Sequence, residues 1–242
     1  MRNSFGFAIL ADCLLAPSIA AADTSGNGSG WYMGFDLGQA TASNQVFFSA
    51  DSFNYDSGGV LYTGQPTGIS HEQTSTAYRF EAGYWFNPYV GLQANYADLG
   101  KNTTHSHNIT APLGISCGLS CEDSFDDSPY QKTKGKGLSL MAAYPLPHGF
   151  RLLARYGRFW DQVDYDSGYT PTPGQGYGNT TMPSGFHIGT SGVAFTYGLG
   201  ASWAFTDHWQ LVLGWDEYKG LGGGLSQQFD VRLISVGAEY HF

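Results

Sequence analysis

The stretch that decides the fold is Val231-Arg232-Leu233-Ile234-Ser235-Val236-Gly237-Ala238-Glu239-Tyr240-His241-Phe242. Its even positions carry mostly bulky apolar side chains, and its odd positions from Ser235 onward carry polar or small ones. Successive side chains of a β-strand point to opposite faces of the sheet, so this alternation predicts a strand with one apolar face.

The same alternation recurs along the chain. We predict eight strands in all. They are Trp31–Gly38, Tyr78–Phe86, Tyr89–Asp98, Gly137–Tyr144, Phe150–Gly157, Gly192–Phe205, Trp209–Asp216 and the C-terminal stretch quoted above. Long polar connections, near 41–73, 100–136 and 161–190, alternate with short turns at 87–88, 145–149 and 206–208, and a glycine-rich loop at 219–227 precedes the last strand. This arrangement predicts an all-β fold, an eight-stranded antiparallel up-and-down transmembrane β-barrel.

Composition supports a barrel whose outside meets lipid. Charged residues make up 13% of the 242 residues and aromatic residues 16%, and there are 34 glycines. The bulky residues occupy the apolar face and small or polar residues the other, which is the reverse of a soluble barrel. The net charge of -9 argues against nucleic-acid binding, and the mean hydropathy of -0.23 argues against a helical membrane protein.

The N-terminus has the pattern of an export signal. Arg2 gives a positive start, Phe5–Leu15 is mostly apolar, and Ala20-Ala21-Ala22 offers a small-residue cleavage site. We therefore expect a signal peptide at 1–22 and a barrel domain at 23–242. Lipidation at Cys13 is the weaker alternative, because Asp12 precedes it.

Two cysteines remain in the exported chain, Cys117 and Cys121. An even pair in a predicted loop of an exported protein favours a disulfide. A zinc site is the alternative, with His105 and His107 nearby, but two further ligands at metal spacing are not evident.

The strand pattern resembles that of the eight-stranded OmpA-like and opacity-type outer-membrane barrels. The resemblance is carried by Gly30-Trp31-Tyr32-Met33-Gly34, by Phe86-Asn87-Pro88-Tyr89-Val90 with Tyr96-Ala97-Asp98-Leu99-Gly100-Lys101, and by the terminal Val236–Phe242. It implies a bacterial outer-membrane location. It also implies that the barrel-assembly machinery recognises the C-terminal signal formed by Ser235, Gly237, Tyr240 and Phe242. We expect no separate peptidoglycan-binding domain.

Charged residues on the predicted inward face are the main candidate site. A narrow barrel tolerates such charges only when they are paired. The resemblance implies an ion-pair network that plugs the lumen, formed by Asp36, Arg79, Glu81, Arg151, Arg155, Asp216 and Glu239. Of these residues, Glu81 and Arg155 are the members that we expect first. A gate in which exchanged pairs admit ions is the alternative.

Other polar residues have weaker interpretations. Arg158 and Arg232 fall on the outward face, so we expect them near the outer headgroups, where they either meet lipopolysaccharide phosphates or extend to the interface. The acidic run 122–127 lacks a defined calcium-loop pattern. The predicted loops carry an aromatic, polar surface suited to recognition, formed by Tyr55, Tyr62, Tyr130, Tyr165, Tyr169 and Tyr177.

The sequence thus predicts a non-enzymatic outer-membrane barrel with a structural role and with surface loops for adhesion or for recognition of a host or phage ligand. The alternative is a narrow pore of low conductance. Ser70-His71 and His105-Ser106-His107 lack any supporting catalytic motif, so we expect no enzyme activity. No cofactor or metal is expected, and the expected partners are membrane lipid, lipopolysaccharide and the assembly machinery, without nucleic acid.

Overall fold

The computed structural model describes residues 29–43, 53–57, 60–112, 123–128, 130–166, 187–223 and 228–242. Within these ranges the chain forms β1 (Gly30–Ser43), β2 (Phe53–Ser57), β3 (Val60–Glu72), β4 (Thr74–Trp85), β5 (Val90–Pro112), β6 (Asp123–Asp127), β7 (Tyr130–Pro145), β8 (Phe150–Asp166), β9 (His187–Ala204), β10 (Trp209–Leu221) and β11 (Phe229–His241). A 3₁₀ turn, Pro147–Gly149, follows β7. No helix in these ranges is both long enough and apolar enough to span a membrane.

Eight of the described strands close into a barrel. Each pairs antiparallel with the next in the order β1, β4, β5, β7, β8, β9, β10 and β11, and β11 pairs back to β1. The prediction of an eight-stranded antiparallel up-and-down barrel is therefore confirmed. The remaining strands β2, β3 and β6 extend the sheet beyond the closed wall, where β3 and β6 both pair with β5.

Short turns join the strands at one end of the barrel, which we call the turn end. At Phe86–Tyr89 the Asn87 Oδ1 accepts the backbone N–H groups of Tyr89 and Val90, each at 2.8 Å. At the 206–208 turn the Thr206 Oγ1 accepts the Trp209 N–H at 2.9 Å. The short turns predicted from the sequence are confirmed, and the opposite end, the long-loop end, carries the long connections.

The middle of the wall is apolar outside and polar inside. On β1, Trp31 and Leu37 are 64% and 50% exposed, whereas the intervening Tyr32 and Asp36 are each 1% exposed. The other wall strands alternate in the same way, so bulky apolar side chains form a continuous outward band (the apolar band). Aromatic pairs such as Trp31–Tyr84 and Trp209–Tyr240, each with ring centroids 5.1 Å apart, mark its turn-end margin.

Toward the long-loop end the side chains still alternate, but the polarity of the two faces is reversed. On β8 the outward residues become Gln162 and Asp164, whereas Phe159 and Val163 point inward and are fully buried. On β11, likewise, Asp230 and Arg232 face outward and Leu233 inward. Here the wall has the polarity of a soluble barrel, with a dry interior and a wetted outer surface.

The inversion corrects two predictions. The connections predicted as loops at 41–73 and 100–136 contain β2, β3, β6, the end of β5 and the start of β7, and β8 and β9 extend into the one predicted at 161–190. The inward face of the long-loop end also carries a large apolar cluster, beside buried polar residues such as Gln131, Thr133 and Asp161. Both errors have one cause. The predictions assumed that outward residues are apolar, but at this end the outer face of the sheet meets water and its outward residues are polar.

Two buried apolar clusters fill the lumen at different heights. The turn-end cluster comprises Tyr32, Trp85, Met141, Ala143, Leu153 and Val212. The larger loop-end cluster comprises Ala40, Ala42, Ala77, Ala97, Leu99, Phe159, Val163, Ala194, Tyr218, Leu221, Phe229, Val231 and Leu233. Along β8 the order is Leu153, Arg155, Phe159, so a charged layer lies between the two clusters.

The apolar band makes a prediction about lipid contact. Leu140, 55% exposed on β7, lies within the band, so Leu140→Arg should lower the free energy of unfolding by about 2–4 kcal/mol. Urea titration of the barrel folded into phospholipid vesicles measures the change. Gln162→Arg on the outward polar face is the control and should stay within about 0.5 kcal/mol of wild type. Equal losses in the two variants would contradict the placement of the band in lipid.

Candidate functional site: a charged layer inside the barrel

Arg79 of β4 is the centre of the charged layer. Its Nε and Nη2 both donate to Asp36 Oδ2 of β1, the Nε at 2.8 Å, and its Nη1 donates to Asp216 Oδ2 of β10 at 2.7 Å. The same Nε lies 3.1 Å from Glu81 Oε2. The Arg79 side chain is 1% exposed, so all these contacts lie away from water.

Arg155 of β8 is the second cation of the layer. Its Nε lies 3.0 Å from Asp216 Oδ1, and its Nη1 lies 3.6 Å from Glu81 Oε2. Asp216 and Glu81 therefore each bridge both arginines. Gln93 of β5 adds a hydrogen bond from its Nε2 to Glu81 Oε2 at 2.7 Å. Alternating charges thus connect four strands, β1, β4, β8 and β10, across the lumen, and the Gln93 hydrogen bond adds β5.

Inward glycines make room for these carboxylates. Gly237 is the cross-strand partner of Asp36, and Gly198 is the partner of Asp216. A Cβ added at either glycine would collide with the carboxylate of its partner. Gly237 was assigned above to the C-terminal assembly signal, and the structure gives it this additional packing role.

A second polar group lies closer to the turn end. His241 Nε2 is 3.3 Å from Glu239 Oε2, and its ring stacks on Tyr32 with centroids 5.4 Å apart. Arg151 lies over the Trp85 ring at 4.4 Å and donates to the Pro88 carbonyl at 3.1 Å. These contacts close the lumen beside the turn-end cluster.

The structure brings most of the predicted lumen residues together: Asp36, Arg79, Glu81, Arg155 and Asp216 form one layer. Glu239 adjoins this layer, because it and Glu81 are both cross-strand partners of Gly34, and Arg151 lies nearer the turn end. The prediction omitted Gln93, Trp85 and His241 as contact partners. All three occupy inward positions of the alternating strand pattern, which was the only indication that the sequence offered. The pattern does not reveal which inward side chains contact the charged ones.

The C-terminal residues divide between the two faces of β11. Ser235 is buried on the lumen side, whereas Tyr240 lies at the outer margin with Trp209 and Phe242, in each case with ring centroids 5.1 Å apart. Phe242 is 68% exposed. An exposed aromatic end of this kind is accessible to a recognising protein.

Outward cations near the long-loop end are mostly ion-paired. Arg232 Nε lies 3.3 Å from Glu217, and Lys219 Nζ lies 2.8 Å from Asp230 and 3.0 Å from Glu217. The hydrogen bonds that the Lys219 ammonium donates to Asp230 and Glu217 raise the pKa of Lys219 above its ordinary value. These four side chains form a charge-balanced group. Arg158 differs, because its guanidinium lies over the Phe195 ring at 4.0 Å.

The remaining candidates are placed as follows. His71 of β3 contacts Thr104 at 3.0 Å and His105 of β5 contacts Ser128 at 2.9 Å, so both histidines lie on strands rather than in the predicted loops. Among the described residues, no group of three or more metal-ligating side chains is present. Several predicted features lie outside the described residues or side chains: the predicted signal peptide with Cys13, the residues Cys117, Cys121 and His107, the acidic run 122–127, and Tyr55, Tyr62, Tyr169 and Tyr177.

Comparison with known proteins identifies the type of barrel. The model of the outer membrane protein beta-barrel domain family matches residues 9–242. Neisserial surface protein A is 15% identical, with a TM-score of 0.48, and the alignment covers 89% of this chain and 99% of that one. OprG from Pseudomonas aeruginosa is 14% identical, with a TM-score of 0.48 and coverage of 91% and 99%. Ail, the attachment invasion locus protein of Yersinia pestis, is 12% identical, with a TM-score of 0.45 and coverage of 90% and 99%. No curated protein matches the chain.

The charged layer predicts a non-additive effect on stability. Arg79→Gln leaves buried carboxylates without their central cation and should lower the free energy of unfolding by about 3–5 kcal/mol. Adding Asp36→Asn removes one of those charges and should recover part of the loss. Urea unfolding in vesicles measures both variants. Arg158→Gln, an equal loss of charge at an exposed position, is the control, and a matching effect there would refute a special role for the layer.

Proposed function

Because the chain belongs to the outer membrane protein beta-barrel domain family, we propose that it is a non-enzymatic structural barrel with a sealed lumen. The turn end then faces the periplasm and the long-loop end faces the cell exterior. The loops at the exterior end are proposed to serve adhesion or recognition. One observation carries the proposal: two apolar clusters lie on either side of the charged layer.

A sealed lumen follows from how these layers are built. In the loop-end cluster the Phe159 and Tyr218 rings meet edge to face with centroids 4.8 Å apart, and both side chains are at most 1% exposed. An ion crossing this cluster would lose its hydration without gaining a polar partner. Eight strands also leave an interior that side chains alone can fill. The lumen is therefore better suited to rigidity than to transport.

The exterior wall supports the recognition role. β5 continues from the apolar band to Pro112 and pairs there with β3 and β6, so the sheet extends outward beyond the closed barrel. A rigid sheet that carries long connecting segments is the usual way in which a scaffold presents variable binding surfaces. Of the described tyrosines, Tyr130 lies on β7 at this end, whereas Tyr165 of β8 packs against the loop-end cluster and so does not contribute to the proposed surface.

The proposed export and partners follow from the same assignment. We propose that residues 1–22 are a signal peptide and that the barrel-assembly machinery recognises Ser235, Gly237, Tyr240 and Phe242. We further propose that the outer wall contacts lipopolysaccharide and that the loops bind a host or phage surface ligand. Cys117 and Cys121 are proposed to form a disulfide within one of those loops.

The pore alternative gives an opposite result in planar bilayers. We expect the refolded mature chain to insert without steady conductance. Glu81→Ala and Arg155→Ala should stay silent as well, because each leaves the loop-end cluster intact. Arg155→Ala combined with Phe159→Ala and Tyr218→Ala in the loop-end cluster and Trp85→Ala in the turn-end cluster should admit ions, since all three layers are then weakened. Steady channels of defined size from wild type would overturn the sealed-lumen proposal.

The recognition role is tested by loop replacement. Replacing residues 168–185 with a short Gly/Ser linker should abolish binding to target cells or to matrix, because the proposed contact surface is removed. Binding of labelled vesicles that carry the protein is the measurement. Retained heat-modifiable gel mobility shows that the barrel still folds, and Leu140→Ala on the lipid-facing surface is the matched control. Undiminished binding by all single-loop replacements would contradict the proposal.

A further inference from the structure

The outer surface of the wall carries an asymmetric set of cations. In the part of the chain that the structure describes, seven lysines and arginines lie outside the lumen, and all are on outward positions toward the long-loop end: Lys101, Lys132, Lys134, Lys136, Arg158, Lys219 and Arg232. They lie where the outward face changes from apolar to polar. If the long-loop end faces the cell exterior, as proposed above, this change of polarity lies at the level of the outer-leaflet headgroups.

Most of these cations already have a counter-charge. Lys132 Nζ is 3.3 Å from Asp98, and Lys134 Nζ is 3.5 Å from Asp164. Lys219 and Arg232 belong to the balanced group with Glu217 and Asp230 described above. Lys101 lies higher on the wall, opposite Lys132, with its ammonium 3.8 Å from the Tyr130 ring centroid.

Lys136 of β7 and Arg158 of β8 remain, and they are neighbours. Lys136 lies directly opposite Trp160, and Arg158 lies directly opposite Leu138, so the two cations are diagonal partners on the same face, with Cα atoms about 7–8 Å apart. Among the described residues, neither has a carboxylate within ion-pair distance. The next outward residues of β7 after Lys136, toward the turn end, are Leu138 and Leu140 of the apolar band.

Aromatic rings flank this pair. Trp160 is 48% exposed and Phe195, which lies under the Arg158 guanidinium, is 43% exposed. Tyr96 is the other cross-strand partner of Lys136. Tryptophan and tyrosine concentrate at the headgroup level of a bilayer, so their presence independently places both cations beside lipid headgroups rather than in bulk water.

We propose that Lys136 and Arg158 form a binding site for a phosphate group of lipopolysaccharide on the β7–β8 face of the barrel. A planar guanidinium can contact two phosphate oxygens at once, and the neighbouring ammonium supplies a point charge. This proposal assigns residues to the lipopolysaccharide contact proposed above. It rests on the proposed orientation, in which the long-loop end faces the cell exterior. It also reassigns the sequence expectation, because the charge of Arg232 is already balanced by Glu217.

The test is binding of lipopolysaccharide to the refolded full barrel in dodecyl maltoside micelles. The probes are purified deep-rough lipopolysaccharide, its enzymatically dephosphorylated form and sodium phosphate. The unfolding temperature of the barrel is measured as lipopolysaccharide is added. The apparent affinity is the lipopolysaccharide concentration at which half of the maximal increase in that temperature is reached. A charge near a membrane surface contributes about 1 kcal/mol, so Lys136→Gln and Arg158→Gln should each weaken apparent affinity roughly 5-fold, and the double variant roughly 30-fold.

Controls separate this site from general charge effects. Lys101→Gln removes one outward charge away from the site and should change affinity less than about twofold, as should the charge-keeping Lys136→Arg. Wild-type affinity in the double variant, an equal loss in Lys101→Gln, or equal binding of dephosphorylated lipid would each overturn the proposal. Equal stabilisation by sodium phosphate would overturn it too, because the site would then recognise an ion rather than a lipid.

The outcome is independent of the proposed scaffold role. Conductance and loop-dependent adhesion are measured on the same refolded variants, and both side chains lie on the outer surface away from the lumen layers. A silent barrel with loop-dependent adhesion but without phosphate-dependent lipid binding would refute this site alone. A conducting barrel that binds phosphorylated lipid would refute the sealed lumen alone.

Discussion

The antiparallel pairing of β1 with β11 is the constraint on which the rest of the structure depends. It joins the two ends of the wall from Tyr32–His241 to Ser43–Asp230 and leaves the closed sheet without an edge inside the apolar band. Hydrocarbon offers no hydrogen-bond partner to an unpaired N–H or C=O group, so a sheet can span a membrane only when it is closed. Closure also fixes which side chains point inward, because side-chain direction alternates along every strand.

An eight-stranded wall encloses a narrow interior, and the inward residues must fill it. They do so in layers: an apolar cluster at the turn end, alternating arginines and carboxylates in the middle, and a larger apolar cluster toward the long loops. The charged layer is sterically possible because Gly198 and Gly237 leave space for the carboxylates of Asp216 and Asp36. Charges removed from water are stable only with such mutual pairing, so the loss of any single member destabilises the layer.

The inversion of polarity along each strand connects this packing to the membrane. One strand, β8, is first a lipid-facing wall with arginines inside and then a water-facing wall with Phe159 and Val163 inside. The position of the inversion sets the height of the bilayer surface. It also determines which outward cations lie beside headgroups, where Lys136 and Arg158 are proposed to bind a lipid phosphate and most of the cations around them are balanced by carboxylates.

The sequence by itself determined the membrane part of this protein. The apolar-outward alternation fixed the eight strands, the short turns and the inward placement of Asp36, Arg79 and Arg155, because the parity of a strand is a local property of the backbone. Only the tertiary structure decided which inward charges meet, since Asp216 and Arg79 are far apart in the chain and approach each other only across the closed lumen. It also decided that the strands continue above the membrane. There the outer face meets water rather than lipid, the sequence pattern reverses, and residues such as Leu99 and Phe229 become core only through barrel closure.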